Sequence, residues 1–202
     1  MAESAADNAP VPVAAPAELV LMSYAEFGQR FFETAVTQER VVEAAGNLAG
    51  RPVDFGPLGV GPLGLVKVSA TGAVGDPEVV RVEGEHVAFR LTIPVALQLT
   101  IEIGLDKYRF TAAVRVRLPI TARAAEPLRI VIDVEAPNPR AIEVDLQAEG
   151  LRASVVQVIG GVEGELKKSV ARFVRREIEK PELQKARIID VAKALENLTV
   201  KR

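Results

Sequence analysis

From residue 87 to residue 105 every odd position is apolar, starting Val87, Phe89, Leu91, Ile93, Val95 and continuing through Leu97, Leu99, Ile101 and Ile103 to Leu105. The even positions carry His86, Arg90, Thr92, Gln98, Thr100 and Glu102 among smaller residues. Successive side chains of a strand point to opposite faces, so an alternation of this length means extended chain with one face buried. At about 3.3 Å per residue the run spans roughly 60 Å, well past an ordinary strand. The parity then changes to even positions in Tyr108, Phe110, Ala112, Val114, Val116, Leu118 and Ile120. A two-residue turn at Asp106-Lys107 pairs Leu105 with Tyr108, Leu99 with Val114 and Ile93 with Ile120, keeping both apolar sets on one face. That register sets Pro94 opposite Pro119. Neither proline has an N–H for its other neighbour, which predicts an edge, bend or gap in the sheet at that level.

Two more alternating runs follow, Leu128 to Val134 and Ile142 to Ala148, and shorter candidates lie near residues 65–73 and 78–84. Together they predict a curved meander of about six antiparallel strands, wet on one face and apolar on the other. On the wet face, Arg109, Arg115, Arg117, Arg123 and Arg129 stand near Asp133, Glu135, Glu143 and Asp145, and charges of opposite sign on adjacent strands neutralise one another. The stretch Gly56–Gly64 repeats Gly-Pro-Leu-Gly. A phosphate-binding glycine loop follows a strand and opens a helix, whereas this one follows a helix and leads into strand-like Leu65–Val68, so it reads as a turn-rich connection.

Helical periods flank the sheet. Ser23-Tyr24-Ala25-Glu26 has the form of a capping box. Beyond it Phe27, Phe31, Ala35, Val42, Ala45 and Ala49 make an apolar stripe, which predicts one long N-terminal helix anchored in the core and stopped by Gly50 and Pro52. From Leu151 the residues Val155, Ile159, Val162, Leu166, Val170 and Phe173 fall at helical steps, predicting a long C-terminal helix to Lys180 packed on the apolar face of the sheet. Lys167, Lys168, Arg172, Arg175 and Arg176 suit the negative end of that helix's dipole and also offer a peripheral contact to an anionic membrane. Pro181 opens a last short helix carrying Ile188, Ile189, Val191, Ala192 and Leu195. Residues 1–18 are an Ala/Pro-rich stretch without the charged and apolar regions of a signal peptide. They read as a disordered tail on a single α+β domain, residues 19–202, expected in the cytoplasm.

Composition narrows the function. Twenty-five basic and 27 acidic residues leave a net charge of −2, against the basic excess of a general nucleic-acid binder. No cysteine and one histidine, His86, remove disulfides, thiolate chemistry and most metal and acid–base arrangements. No catalytic residue, metal site or cofactor is expected. The order of long helix, long-stranded antiparallel sheet and long helix, carried by residues 87–120 and 151–180, resembles the tubular lipid-binding (TULIP) superfamily, which includes bactericidal/permeability-increasing protein and SMP domains. The START-like helix-grip fold is similar in outline.

Either resemblance implies an apolar ligand, lipid or fatty acid-like, in a groove between the curved sheet and the helices. The expected lining is Leu97, Leu99, Ala112, Val114, Val116, Ile130, Ile132, Val144, Val155 and Ile159. A non-catalytic carrier is the leading reading. A structural or interaction protein with a packed interior, associating as a homodimer, is the second, and an enzyme on an apolar substrate is the third; an extractable ligand separates the first two.

Overall fold

The structure, a computed structural model, describes residues 20–60, 64–147 and 153–199. The expected tail, residues 1–18, lies outside the described residues. The chain forms α1 (Tyr24–Ala35), α2 (Gln38–Gly46), β1 (Pro52–Val60), β2 (Val66–Val74), β3 (Glu78–Val82), β4 (Ala88–Ile103), β5 (Asp106–Ala125), β6 (Arg129–Val134) and a 3₁₀ turn at Pro139–Ala141. It continues through β7 (Glu143–Gln147), α3 (Ala153–Ile178), α4 (Pro181–Ala186) and β8 (Ile188–Asp190) to α5 (Val191–Thr199). The class is α+β, built on a curled antiparallel half-barrel.

The hairpin of β4 and β5 runs through the whole sheet. Its turn half is flanked by β2 and then β1 on one side and by β7 on the other; its far half is flanked by β3 on one side and by β6 and then β8 on the other. The two prolines explain the division. On β4, pairing with β2 ends at Val95 and pairing with β3 begins at Thr92, so Pro94 falls in the gap. On β5, pairing with β7 ends at Arg115 and pairing with β6 begins at Ile120, so Pro119 falls in the other gap. A residue with no N–H stands on each strand where one neighbour has ended and the next has not begun. The carbonyls still have partners: Gly75 N–H donates to Pro94 at 2.8 Å and Glu135 N–H to Pro119 at 3.1 Å.

The register differs from the sequence expectation by four residues. The turn is Gly104-Leu105, closed by Ile103 opposite Asp106, so Leu99 faces Phe110, Ile93 faces Val116, and Pro94 faces Arg115 instead of Pro119. Glycine decides the matter: Gly104 has φ +62°, a conformation two-residue hairpin turns require and L side chains resist, and Asp106-Lys107 offers nothing equivalent. The even shift preserves the buried face. It also turns Leu105, the last member of the alternation, out into solvent with 102% relative exposure.

Three further expectations are corrected. The N-terminal helix is two short helices broken at Val36-Thr37. Val36 is extended and 4% exposed, and the Thr37 hydroxyl accepts from Arg40 N–H to cap α2. The expected apolar stripe anchors little: Phe27 is 60% exposed, and no residue of α1 is buried. The capping box itself is present, with Glu26 accepting from Ser23 N–H at 2.8 Å and Ser23 Oγ accepting from Glu26 N–H at 3.2 Å. Part of the glycine-rich stretch is strand: β1 pairs with β2 across a register shift between Phe55 and Leu58. At an edge a strand tolerates Pro57 and the shift. Lastly, Ile188 and Ile189 belong to β8, paired with Val131 and Ile130 of β6, so the sheet has eight strands rather than six.

The core lies inside the curl. Val68, Phe89, Leu99, Ile101, Val114, Val116 and Ile130 from the sheet are 1–2% exposed, as are Val162 and Leu166 from α3. α3 spans 26 residues and touches β1, β7 and the 3₁₀ turn, so it lies along the open side of the half-barrel. Phe173 of α3 meets Phe55 of β1 edge to face at 5.5 Å between ring centroids. α2 packs by β3, where Gln38 Nε2 donates to the Val79 carbonyl at 3.0 Å.

Candidate functional site

The curled sheet and α3 leave a groove between the edge strand β1 and the helix, with a volume of about 710 Å³. This lies within the range typical of small-molecule sites. Its apolar floor comes from Phe55 and Leu58 of β1, Ala171 of α3 and Pro139 of the 3₁₀ turn. The alternation Val53, Asp54, Phe55 points Phe55 inward, with 8% exposure, and Asp54 out to the rim. Leu58 resumes the strand after the register shift and stays half-buried.

The rim is basic. Lys168, Arg172, Arg175 and Arg176 all line the groove from α3, because positions three, four, seven and eight apart share a helix face. Lys167 does not join them and instead pairs with Glu163 at 2.7 Å. Glu165 serves two cations at once, Lys168 Nζ at 3.4 Å and Arg172 Nη2 at 3.2 Å. Arg172 Nη2 also donates to the hydroxyl of Ser169 at 3.0 Å. Ser169 lines the groove and is 5% exposed, the polar side chain most removed from water among the described residues. Arg175 and Arg176 form no ion pair with a described residue. The groove thus joins an apolar floor to a positively charged wall.

Of the residues expected to line a ligand site, Leu97, Leu99, Ala112, Val114, Val116 and Ile130 lie in the core at 1–4% exposure. Ile132 and Val144 are half-buried beside them. The side chains of Val155 and Ile159 lie outside the described residues. The structure brings the sheet residues of this set together on one concave face, while the β1–α3 groove is lined by others. Sequence reasoning found the cations and missed their apolar counterpart, since Leu58 sits in the Gly56–Gly64 stretch read as a connection and Phe55 directly precedes it. The signal available was the short alternation Val53-Asp54-Phe55 before the first glycine.

A second cavity, about 460 Å³, lies at the Pro119 gap and is bordered by Phe89, Arg90, Ile120, Glu135 and Asn138. The outward arginines of the sheet are largely neutralised, as their neighbours predict. Glu143 meets Arg117 at 2.8 Å and Arg115 at 3.9 Å, Asp133 meets Arg123 at 3.2 Å, and Asp190 meets Arg129 at 3.6 Å. All are exposed pairs, worth at most about 1 kcal/mol each.

Fold and groove define a class: an α+β protein with a curled antiparallel half-barrel, a helix along its open side and a basic-rimmed apolar groove at the edge. No protein-family model matches the chain, and no curated protein matches its sequence. Among the described residues no helix is long and apolar enough to cross a membrane.

Proposed function

We propose that the protein is a non-catalytic carrier of an apolar small molecule, lipid or fatty acid-like, and that the β1–α3 groove holds part of it. The observation that carries this reading is the groove itself, about 710 Å³ in volume and floored by buried Phe55 and Ala171 and half-buried Leu58. An apolar chain lying in that volume takes the exposed part of Leu58 and the aliphatic stems of the basic wall out of water. The resemblance of residues 87–120 and 151–180 to TULIP proteins, read from the sequence and without the long N-terminal helix, points to the same class of ligand.

Native mass spectrometry of gently purified protein, beside solvent extraction of the same sample, is expected to show an added mass and a matching extracted lipid. A fluorescent fatty-acid probe is expected to bind and to be displaced by the substitution Leu58→Trp, which fills the groove with little loss of stability because Leu58 is only half-buried. Absence of both an extractable molecule and saturable probe binding refutes the carrier and favours a structural or interaction protein, including a homodimer.

A further inference from the structure

We infer that the groove selects ligands with an anionic end, a carboxylate or phosphate held at the basic wall while the chain lies on Phe55 and Leu58. The inference rests on the carrier reading and adds the chemical class of the ligand.

Four cations border a groove whose floor is apolar, and the nearby carboxylates are Asp54 on the opposite rim and Glu165, which is already divided between Lys168 and Arg172. Arg175 and Arg176 have no carboxylate among the described residues. The helix dipole accounts for cations near a helix C-terminus, but it does not require them to gather on the one face that borders an apolar groove. Arg172 is the best placed. Its guanidinium is oriented by Ser169 at 3.0 Å, and that hydroxyl lies at the groove wall with 5% exposure, so it serves as a second polar contact for a head group. A guanidinium beside a hydroxyl suits an oxyanion with several acceptor oxygens. Low-dielectric walls on one side strengthen the attraction relative to open water. A neutral lipid gains the floor and leaves the wall unused.

The test compares matched probes by displacement of a fluorescent fatty acid: oleate and lysophosphatidate against oleyl alcohol and monoolein. Wild-type protein is expected to bind the anionic members about tenfold or more tightly, with the difference shrinking as salt rises. The double substitution Arg172→Gln and Arg175→Gln is expected to abolish that preference while neutral binding stays as it was. Lys167→Gln, on the same helix but outside the groove, keeps the preference. Acetate and inorganic phosphate, which have no chain, are expected to compete only at concentrations at least a hundredfold higher than the lipids.

Equal affinity for anionic and neutral probes overturns the inference and leaves the carrier intact, whereas no binding of any probe overturns both. Co-sedimentation with phosphatidylglycerol vesicles that is lost in the double variant, without saturable binding of monomeric lipid, assigns the cations to a membrane surface and also overturns it.

Discussion

Leu99 and Leu105 share parity in the same alternating run, and the pattern alone gives them the same fate. The structure separates them, one at 1% exposure between Ala70 and Phe110, the other in the turn at 102%. Leu99→Ala removes three buried carbons, about 2.4 kcal/mol at about 0.8 per methylene. The neighbouring strands are fixed by ladders on both sides and cannot collapse fully into the space, so the cavity left behind raises the loss to about 3–4 kcal/mol. For a chain of this size that lowers the melting temperature by roughly 10 °C. Leu105→Ala removes the same atoms from water-exposed positions and is expected within about 0.5 kcal/mol of the parent. Urea unfolding followed by far-ultraviolet circular dichroism measures both, since the chain has no tryptophan to report by fluorescence. The slope against urea is expected to stay constant, so the midpoints give the comparison directly. A loss for Leu105→Ala equal to that of Leu99→Ala refutes the Gly104-Leu105 turn and the register built on it, and a loss below about 1 kcal/mol for Leu99→Ala refutes the burial of that face.

Three further outcomes follow from specific contacts. Ala112→Phe inserts a ring at a position 4% exposed opposite Leu97 and Leu146, and is expected to cost about 1–3 kcal/mol by overpacking; a neutral effect on the thermal midpoint would place free volume inside the curl. Gly72→Ala drives a methyl group into the Ala96 carbonyl across the β2–β4 ladder, and is expected to lose about 1–3 kcal/mol in the same assay, against little change for Gly84→Ala, which meets open space. Ser23→Ala removes the N-cap of α1 and is expected to reduce amide-exchange protection in that helix by about 1 kcal/mol. The Glu26 carboxyl is held below its ordinary range, first by the Ser23 N–H and then by the Ser23 hydroxyl. A carboxyl lowered in the folded state stabilises fully above its unfolded pKa and loses that contribution as pH falls through the folded value. Protection of α1 is therefore expected to fall in acid in the parent and to change less in Ser23→Ala.

The alternation of residues 87–120 exposed most of the sheet to sequence reasoning because burial on one face demands period two, whatever the register. The register escaped because it depends on one backbone conformation at Gly104, which weighs more than the polarity of Asp106-Lys107. The proline pair was informative for the right physical reason, the missing N–H, even though the two residues do not face each other. β1 was hidden because an edge strand tolerates glycine, proline and a bulge, the same residues that mark a loop. β8 is three residues long, too short for any period to show. In the candidate site, the cations of α3 follow from helical spacing alone. Their apolar partner on β1 does not, because a contact between distant segments leaves no local pattern in either.

The paired gaps at Pro94 and Pro119 make the sheet a structure of two panels on a common spine. β2 and β7 hold one end of the β4–β5 hairpin, β3 and β6 hold the other, and no flanking ladder bridges the crease. Opening the panel that carries the groove breaks no flanking hydrogen bond of the other. Local opening therefore has a natural boundary at the crease, and the β1 edge can part from α3 while the panel beside α2 keeps its order.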